Sequence, residues 1–272
     1  MPILHRDMTL CISLSGRPSN IGTRFHNYLY DELDLPFVYK AFSTDDLEGA
    51  IRGVRALGIG GVSVSMPFKT DVMAFVDEVE ESAAAIDAVN TVVNTGGRLV
   101  ASNTDYEAVQ SLVASHGLDT SAPVLLRGSG GMAKAVAAAL QGSGYEDVTV
   151  VARNREAGPA LAERYGFRWL PDVPENPVEG ALLVNVTPLG MDGPQAEELA
   201  FDHRHLHVAS GVMDVVAFPS ETPLVRAARD AGLPVVTGAE VIALQAARQF
   251  ARYTGVTPTD EQVARASAFS RE

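Results

Sequence analysis

Short apolar runs alternate with amphipathic segments along the first part of the chain. The apolar runs predict β-strands, and apolar residues spaced three and four positions apart predict helices between them. The predicted strands are 10–14, 37–42, 59–65, 91–94 and 99–102, and the predicted helices are 45–57, 68–75, 83–88 and 105–116, with another starting near Thr23 as its N-cap. Strands that alternate with helices are typical of an α/β fold.

The same alternation continues through the rest of the chain. The predicted strands are 124–126, 148–152, 181–186, 211–216 and 235–236, and the predicted helices are 133–140, 159–165, 239–253 and 259–270, with another that opens at Pro223 and ends before Gly232. The proline-rich segment 171–177 is predicted to be a loop. A chain of 272 residues has room for one or two domains. We predict two α/β domains, residues 1–104 with 239–272 and residues 105–238, with a cleft between them.

A glycine-rich turn lies between the predicted strand 124–126 and an alanine-rich helix. Gly128-x-Gly130-x-x-Ala133 fits the dinucleotide-binding fingerprint in its variant with alanine third. The first glycine allows a tight turn, the second allows a pyrophosphate to approach, and the helix N-terminus offers unpaired N–H groups to phosphate. An ordinary βα turn is the alternative. The predicted cofactor-binding residues here are Gly128, Ser129, Gly130, Gly131, Met132 and Ala133.

The end of the next predicted strand indicates which cofactor would bind. NAD-binding proteins carry an acidic residue there for the ribose hydroxyls, whereas arginine accommodates a 2′-phosphate. This chain has Arg153, Asn154 and Arg155 at that point, although its formal net charge is −13. A solvated basic turn is the alternative, but two arginines are less expected by chance in so acidic a chain. The sequence therefore predicts NADP(H), with these three residues at its site.

Composition excludes several other classes of protein. With 34 acidic and 21 basic residues, the composition argues against nucleic-acid or anionic-membrane binding as the main function, because such partners need a basic face. The single cysteine, Cys11, excludes an internal disulfide and is expected to be a buried small hydrophobe. Residues 1–9 carry charges and no long apolar core, so we expect no signal peptide and a cytoplasmic protein.

Two polar segments follow predicted strands in the first domain. Lys69 comes shortly after the strand 59–65, and Asp105 stands between a strand and a helix. A lysine or a carboxylate at a strand end can serve in proton transfer. Taken alone, Lys69 is better explained as a surface cation and Asp105 as an N-cap. The run His203-x-His205-x-His207 is predicted to lie in a loop without a carboxylate cluster, so no metal site is predicted.

Seven motifs in order along the chain resemble the shikimate dehydrogenase family. They are Gly61-Val62-Ser63-Val64-Ser65-Met66-Pro67-Phe68-Lys69, Ala88-Val89-Asn90-Thr91, Asn103-Thr104-Asp105, the loop 128–133, Asn185-Val186-Thr187-Pro188-Leu189-Gly190-Met191, Asp214 with Thr222-Pro223-Leu224, and the helix of Gln245. The resemblance implies a substrate domain and a Rossmann-like NADP-binding domain. It also implies that Lys69 and Asp105 form the catalytic pair, that Ser65, Asn90 and Gln245 hold substrate hydroxyls, and that Thr187, Met191, Val215 and Gly238 contact the cofactor.

The chain departs from the family pattern where the substrate carboxylate is expected. The family's Ser-x-Ser before the first helix corresponds to Asn20 and Gly22, and a literal Ser13-x-Ser15 lies further upstream. Either a rearranged loop returns Ser13 and Ser15 to the site, or Asn20 and Thr23 take the role. A tyrosine near the substrate in many members is replaced by Ala217. These departures resemble the divergent shikimate dehydrogenase-like members of the family.

The predicted function is NADP-dependent, reversible reduction of 3-dehydroshikimate or a similar cyclic keto acid. The expected partner is a small anionic cyclic hydroxy or keto acid, and the expected assembly is a monomer or a homodimer. One alternative is a quinate or other polyol-acid dehydrogenase of the same family. Another is a cofactor-binding regulatory protein with weak or no turnover. A folate-type dehydrogenase fits less well, because the motifs around Asp105 and Gln245 resemble the shikimate family.

Overall fold

The chain folds into two compact units in a computed structural model that describes residues 4–271. One unit comprises residues 1–104 with 243–272, and the other comprises residues 105–242. The helix Gly238–Thr254 contains the second boundary, which the sequence prediction had put before residue 239. We call these units unit 1 and unit 2.

Unit 1 is built on a mixed six-stranded sheet. Its strands are β1 Thr9–Leu14, β2 Phe37–Phe42, β3 Gly61–Val64, β4 Glu78–Val79, β5 Thr91–Thr95 and β6 Arg98–Ser102, in the order β2-β1-β3-β5-β6-β4. Strand β1 is parallel to β2 and β3, β5 is antiparallel to β3 and β6, and β4 is parallel to β6. The predicted strands are found, and the two-residue β4 was missed.

Helices cover both faces of this sheet. They are α1 Asn20–Glu32, α2 Leu47–Ala56, a 3-10 helix Asp71–Phe75 and α3 Glu81–Ala84. The interpretation of Thr23 as an N-cap was wrong, because Ser19 occupies that position and α1 already begins at Asn20. The helix predicted over 68–75 is reduced to the 3-10 helix, because residues 66–70 form turns after the strand.

Side chains on β1 show how the sheet makes two cores. Ile12 and Leu14 pack with α2 residues on one face. Cys11, one position away, packs on the other face with aromatic side chains such as Phe25 and Tyr39. Neighbouring residues in a strand point to opposite faces, so one strand supplies both cores. Cys11 is fully buried, as expected, and burial raises the pKa of its thiol to about 12.

Unit 2 is a parallel six-stranded sheet. Its strands are β7 Val124–Arg127, β8 Val148–Val151, β9 Arg168–Leu170, β10 Leu182–Asn185, β11 Gly211–Asp214 and β12 Val235–Thr237, in the order β12-β11-β10-β7-β8-β9. Counted from β7, this is the strand order of the doubly wound dinucleotide-binding fold. The order of the strands reverses between β7 and β10, although the two strands are parallel. The predicted α/β class and Rossmann-like fold are confirmed; β9 was missed.

The remaining helices follow the strands of unit 2 or return to unit 1. They are α4 Thr104–Ser115, α5 Gly131–Gly142, α6 Ala157–Tyr165, α7 His203–Val208, α8 Pro223–Asp230, α9 Gly238–Thr254 and α10 Asp260–Arg271. The prediction of a loop at the three histidines was wrong, because Asp202 caps α7 there with its side chain. Within residues 4–271, no helix has the length and apolar character needed to cross a membrane.

Candidate functional site

The ends of β1 and β3 lie side by side in unit 1 because these strands are parallel neighbours. The Ser65 amide donates to the Leu14 carbonyl at 2.9 Å, and the Gly16 amide donates to the Met66 carbonyl at 2.9 Å. Ser15 is buried, and its hydroxyl oxygen accepts from the Arg17 amide at 3.1 Å. The Ser15 hydroxyl therefore stabilises the loop itself.

Lys69 follows this edge and is held next to Asn90 by the main chain. Its carbonyl accepts from the Val89 amide at 2.7 Å, and the Asn90 carbonyl accepts from the Val64 amide at 2.8 Å. The Lys69 side chain is partly exposed. The motif containing Lys69 and the motif containing Asn90 thus meet at the end of β3.

Asn90 lies at the centre of a buried hydrogen-bond network. Its Oδ1 accepts from the Thr104 amide at 2.8 Å, the Thr104 hydroxyl at 3.1 Å and the Thr91 hydroxyl at 2.7 Å. The Thr104 hydroxyl also lies 3.3 Å from Oε1 of Gln245. Asn90 is 3% exposed, and its Nδ2 has no partner among the described residues. The network uses the acceptor of this amide and leaves its donor available.

Gln249 completes the network and was missed by the sequence analysis. Its Nε2 donates to the Asn90 carbonyl at 3.1 Å and to the Thr91 hydroxyl at 3.0 Å. Its Oε1 accepts from the Ser63 hydroxyl at 2.8 Å. Gln249 is four residues after Gln245 and so lies on the same face of α9. This spacing was the signal from which the sequence analysis could have identified Gln249.

The other predicted substrate residues are more dispersed. Ser13 is partly buried within β1 and pairs in register with Ser63 of β3. Asn20 is exposed at the start of α1, and Thr23 lies in its first turn. The buried Thr23 hydroxyl has no hydrogen-bond partner in the part of the chain that is described. No hydrogen bond joins Asn20 or Thr23 to Asn90 there.

Asp105 lies in the first turn of α4, directly after Thr104. It is partly exposed, whereas Thr104 is fully buried. Asp105 is not the N-cap considered from the sequence, because the helix already includes Thr104. The same turn also carries Glu107, so the N-terminus of α4 is acidic.

The glycine loop of unit 2 has the geometry that the fingerprint requires. Gly128 has φ +127°, and a Cβ there would lie 2.7 Å from Val186 Cγ2. Gly130 is the N-cap of α5, and the first turn of this helix carries no acidic residue. Ala133 is fully buried, as expected for the small third residue. A Cβ at Gly130 or Gly131 would meet nothing within 4 Å, so the loop faces open space.

A cavity of about 480 Å³ opens beside this loop within unit 2. It is lined on one side by Gly128 and Ser129 and on another by Arg153 and Asn154. The Asn154 Oδ1 accepts from the Glu156 and Ala157 amides, both at 2.9 Å, which fixes the turn into α6. Arg155 is exposed and does not line this cavity, and Met132 is partly buried in α5.

A buried carboxyl group shapes the loops after β10 and β11. Asp214 accepts from the Thr222 hydroxyl at 2.6 Å, from Asn185 Nδ2 at 3.0 Å and from the Val216 amide at 3.2 Å. Asn185 Oδ1 in turn accepts from the Thr187 hydroxyl at 2.6 Å. Burial raises the pKa of Asp214, against the effect of these donors. The network fixes Thr187, which lines the cavity.

The other residues expected at the cofactor lie on neighbouring loops. The Val215 amide donates to the Asn185 carbonyl at 3.0 Å, and the Met191 amide donates to the Pro188 carbonyl at 3.0 Å. Met191 is 44% exposed. A Cβ at Gly238 would lie 2.2 Å from the Val216 carbonyl oxygen. Gly238 therefore allows α9 to begin against the backbone that follows β11.

The three histidines form no metal site in the part of the chain from 4 to 271. His205 is buried, with Nδ1 2.8 Å from Asp202 Oδ1 and Nε2 3.0 Å from the Pro174 carbonyl. Both ring nitrogens are thus used in packing α7 against a loop. No group of three or more histidine, cysteine or acidic side chains in this range could hold a metal ion.

Similarity to known proteins identifies the family of this chain. The family model described as shikimate dehydrogenase substrate binding domain matches residues 20–92. The shikimate dehydrogenase-like protein of Haemophilus influenzae is 51% identical over 270 residues, which are 99% of this chain and 99% of that protein. The chain belongs to the shikimate dehydrogenase family. This confirms the resemblance seen in its seven motifs, including the likeness to the divergent members.

Solved structures extend the similarity to the whole fold of family members. A shikimate 5-dehydrogenase-like protein matches with a TM-score of 0.96 and 50% identity, over 99% of this chain and 100% of that one. The Thermus thermophilus shikimate 5-dehydrogenase in complex with NADP(H) and shikimate matches with a TM-score of 0.84 and 31% identity, over 97% of this chain and 100% of that one. A Corynebacterium glutamicum quinate dehydrogenase in complex with NAD matches with a TM-score of 0.85 and 26% identity, over 97% of this chain and 99% of that one.

Proposed function

We propose that this member of the family is an NADP(H)-dependent oxidoreductase that interconverts a 3-dehydroshikimate-like cyclic keto acid and its hydroxy acid. Unit 1 would bind the substrate and unit 2 the cofactor. The observation that carries the proposal is the buried Asn90 amide, whose donor is available beside the Lys69 segment. A buried donor without a partner is costly unless a ligand accepts from it. A ring hydroxyl is such an acceptor.

The residues of unit 2 fit NADP(H). A Cβ at Gly128 would collide with Val186, so the tight turn needs glycine there. Gly130 and the N-terminus of α5 would hold the pyrophosphate. Arg153 at the end of β8 would meet the 2′-phosphate, and Thr187 would line the nucleotide cavity. Arg155 remains part of the prediction, although it lies outside the cavity lining.

Lys69 would move the proton that accompanies hydride transfer. When bound, NADPH supplies the hydride to the substrate carbonyl carbon. The Lys69 ammonium donates a proton to the oxygen as negative charge develops on it, and in the reverse direction the neutral amine removes the hydroxyl proton. Asp105 orients the amine and the reacting hydroxyl through charge-assisted hydrogen bonds. The chain thus supplies the acid and base from its own side chains.

A second candidate is oxidation of quinate or another polyol acid. Asn20 and Gly22 stand where the family carries serines for the carboxylate, and Ala217 replaces a hydroxyl donor. A site that loses a hydroxyl donor weakens its preference for the ligand group that used it. The structural likeness to a quinate dehydrogenase also supports this candidate.

Turnover with NADP+ tests the proposed reaction. We expect formation of NADPH, followed by its absorbance, with shikimate or with quinate as the substrate. The ratio of kcat/KM for the two substrates separates the first candidate from the second. A folded protein that binds NADP+ but turns over neither acid would contradict both and would favour the regulatory alternative.

Lys69→Ala tests the mechanism. We expect kcat to fall by about a hundredfold or more, because the proton donor is removed, while the Kd for NADP+ changes little. Lys40→Ala is the control, since Lys40 is an exposed lysine of the same unit that donates to the Ala41 carbonyl. A Lys69→Ala enzyme as fast as this control would show that another group transfers the proton.

A further inference from the structure

Arg127 is a second cation at the proposed nucleotide cavity. It is the last residue of β7 and stands immediately before Gly128, the first glycine of the loop. Its side chain is partly buried and lines the same cavity as Ser129 and Arg153. One terminal guanidinium nitrogen donates to the Ala200 carbonyl. The remaining donors of this guanidinium are available to a ligand.

The sheet register brings Arg127 close to the segment that carries Arg153. Arg127 pairs with Val151, the last residue of β8, and Arg153 follows two positions later, in the bend after the strand. Val151 also lines the cavity. Arg127 and Arg153 thus reach the same cavity from the ends of neighbouring strands, which lie about 4.8 Å apart. Two long side chains placed in this way can reach one phosphate group.

Neither guanidinium is neutralised by an ion pair in the described part of the chain. Asp172 and Glu198 also line the cavity, but neither forms a salt bridge with Arg127 or Arg153 there. Burial, and then the positive charge of Arg153, lower the pKa of Arg127, whereas Asp172 and Glu198 act in the opposite direction. A partly buried cation beside a second cation is stabilised by an anion between them.

We propose that Arg127 binds the 2′-phosphate of NADP(H) together with Arg153 and so determines the preference for NADP(H) over NAD(H). The inference rests on the proposed function, because it assumes that the cavity takes this nucleotide. The 2′-phosphate is a dianion that two guanidinium groups can grip with several charge-assisted hydrogen bonds. NAD(H) lacks this group and would leave the two cations facing each other.

Binding of nucleotide fragments tests this role without any substrate. The Kd values of 2′,5′-ADP and 5′-AMP are measured by calorimetry for the wild type and for Arg127→Gln. We expect Arg127→Gln to bind 2′,5′-ADP about tenfold or more weakly, which is the loss of one charge-assisted interaction. The Kd of Arg127→Gln for 5′-AMP should stay within about twofold of the wild-type value. The Kd of Arg127→Lys for 2′,5′-ADP should fall between the wild-type and Arg127→Gln values. Arg168→Gln is the matched control, because Arg168 is exposed in β9 and pairs with Asp147.

The pattern of affinities separates a 2′-phosphate contact from a structural role. Equal weakening of both fragments by Arg127→Gln, with a lower Tm, would show that Arg127 only holds the Ala200 loop and would overturn the inference. An unchanged preference for 2′,5′-ADP would overturn it as well, while the proposed NADP(H) site would remain. A wild-type protein with no preference for 2′,5′-ADP would remove the proposed cofactor and this inference together.

Discussion

In unit 1 the polar atoms around Asn90 are fixed by other side chains, whereas the glycine loop of unit 2 is set by backbone turns beside an open cavity. Asn90 has three donors to its Oδ1 from Thr91 and Thr104, and Gln249 supports both its main chain and Thr91. Gly128 and Gly130 instead act by having no side chain. Unit 1 is therefore suited to recognising the direction of a hydrogen bond, and unit 2 to accepting a charged and extended ligand.

The two units also bury titratable groups of opposite kind. His26 in unit 1 is fully buried and stacks on Tyr39, with ring centroids 4.4 Å apart. Burial lowers its pKa to about 3, against a smaller opposing effect of Gln249. Asp214 in unit 2 is buried too, and burial raises the pKa of its carboxyl group. Acid should therefore weaken the two units unequally.

The largest expected effect is on the acid stability of unit 1. The unfolded chain protonates His26 near pH 6.5, whereas the folded chain does so only near pH 3. The stability from neutral His26 is thus complete above about pH 6.5 and is lost as the pH falls toward 3, by roughly 5 kcal/mol in all. His26→Phe should remove most of this loss, as followed by circular dichroism in denaturant between these pH values.

Trp169 provides the control for this measurement. It is the single tryptophan of the chain and lies in β9 of unit 2. The pKa of Asp214 is raised in the folded state, so the folded protein binds this proton more tightly than the unfolded chain does. The contribution of Asp214 to the stability of unit 2 therefore falls as the pH rises above about 3.8. Trp169 fluorescence should therefore report a different pH profile. An acid transition unchanged by His26→Phe would show that other groups govern it.

Gly128→Ala should produce the next largest effect, and it should be confined to unit 2. The substitution puts a Cβ at φ +127°, 2.7 Å from Val186 Cγ2 and 3.1 Å from the Val186 carbonyl oxygen. We expect a loss of about 1–3 kcal/mol in stability from this strain and a weaker Kd for NADP+, measured by calorimetry. Gly144→Ala is the control, since its φ is +92° but no atom lies within 4 Å of the added Cβ. Equal NADP+ affinity in the two variants would contradict the predicted role of the turn.

Gln249→Leu should have the smallest of these effects, in unit 1. It removes the acceptor of the Ser63 hydroxyl and the donor to the Asn90 carbonyl, which should cost about 1–2 kcal/mol of stability. The KM for the acid substrate should rise, because the Asn90 main chain loses a hydrogen bond. The rise should be small, because Thr104 still donates to Asn90 Oδ1, and the Kd for NADP+ should stay constant. A change in NADP+ affinity as large as that in KM would erase the distinction between the two units.

The sequence predicted the parts of each candidate site that depend on local patterns. The turn at Gly128, the strand before Lys69 and Arg153 after β8 are short segments whose residue types carry the signal. Gln249 and Thr104 were missed as members of the network because their partners lie far away in sequence, 141 residues for Thr104 and Gln245 and 158 for Gln249 and Thr91. The four-residue spacing from Gln245 could have placed Gln249 on the same face of α9, but no local pattern reports which distant residues it contacts.

The errors in secondary structure have a similar physical origin. Strands β4 and β9 have two and three residues, too few to show an alternation of polar and apolar positions. The helix α7 depends on the Asp202 side chain, which caps it and contacts His205. Thr23 resembled a cap because a threonine at a helix start is common, but the preceding residues Ser19 and Asn20 already provide the entry into α1.

The return of α9 to unit 1 sets the order in which the newly made protein can mature. A Cβ at Gly61 would lie 2.2 Å from the Tyr253 ring, so β3 is shaped to receive an aromatic side chain from α9. Ser63 likewise meets Gln249 186 residues later. During synthesis the segment up to Thr104 must wait until α9 has left the ribosome, while unit 2 is contiguous and can fold first. The unit that carries the proposed substrate site is thus the last to be completed.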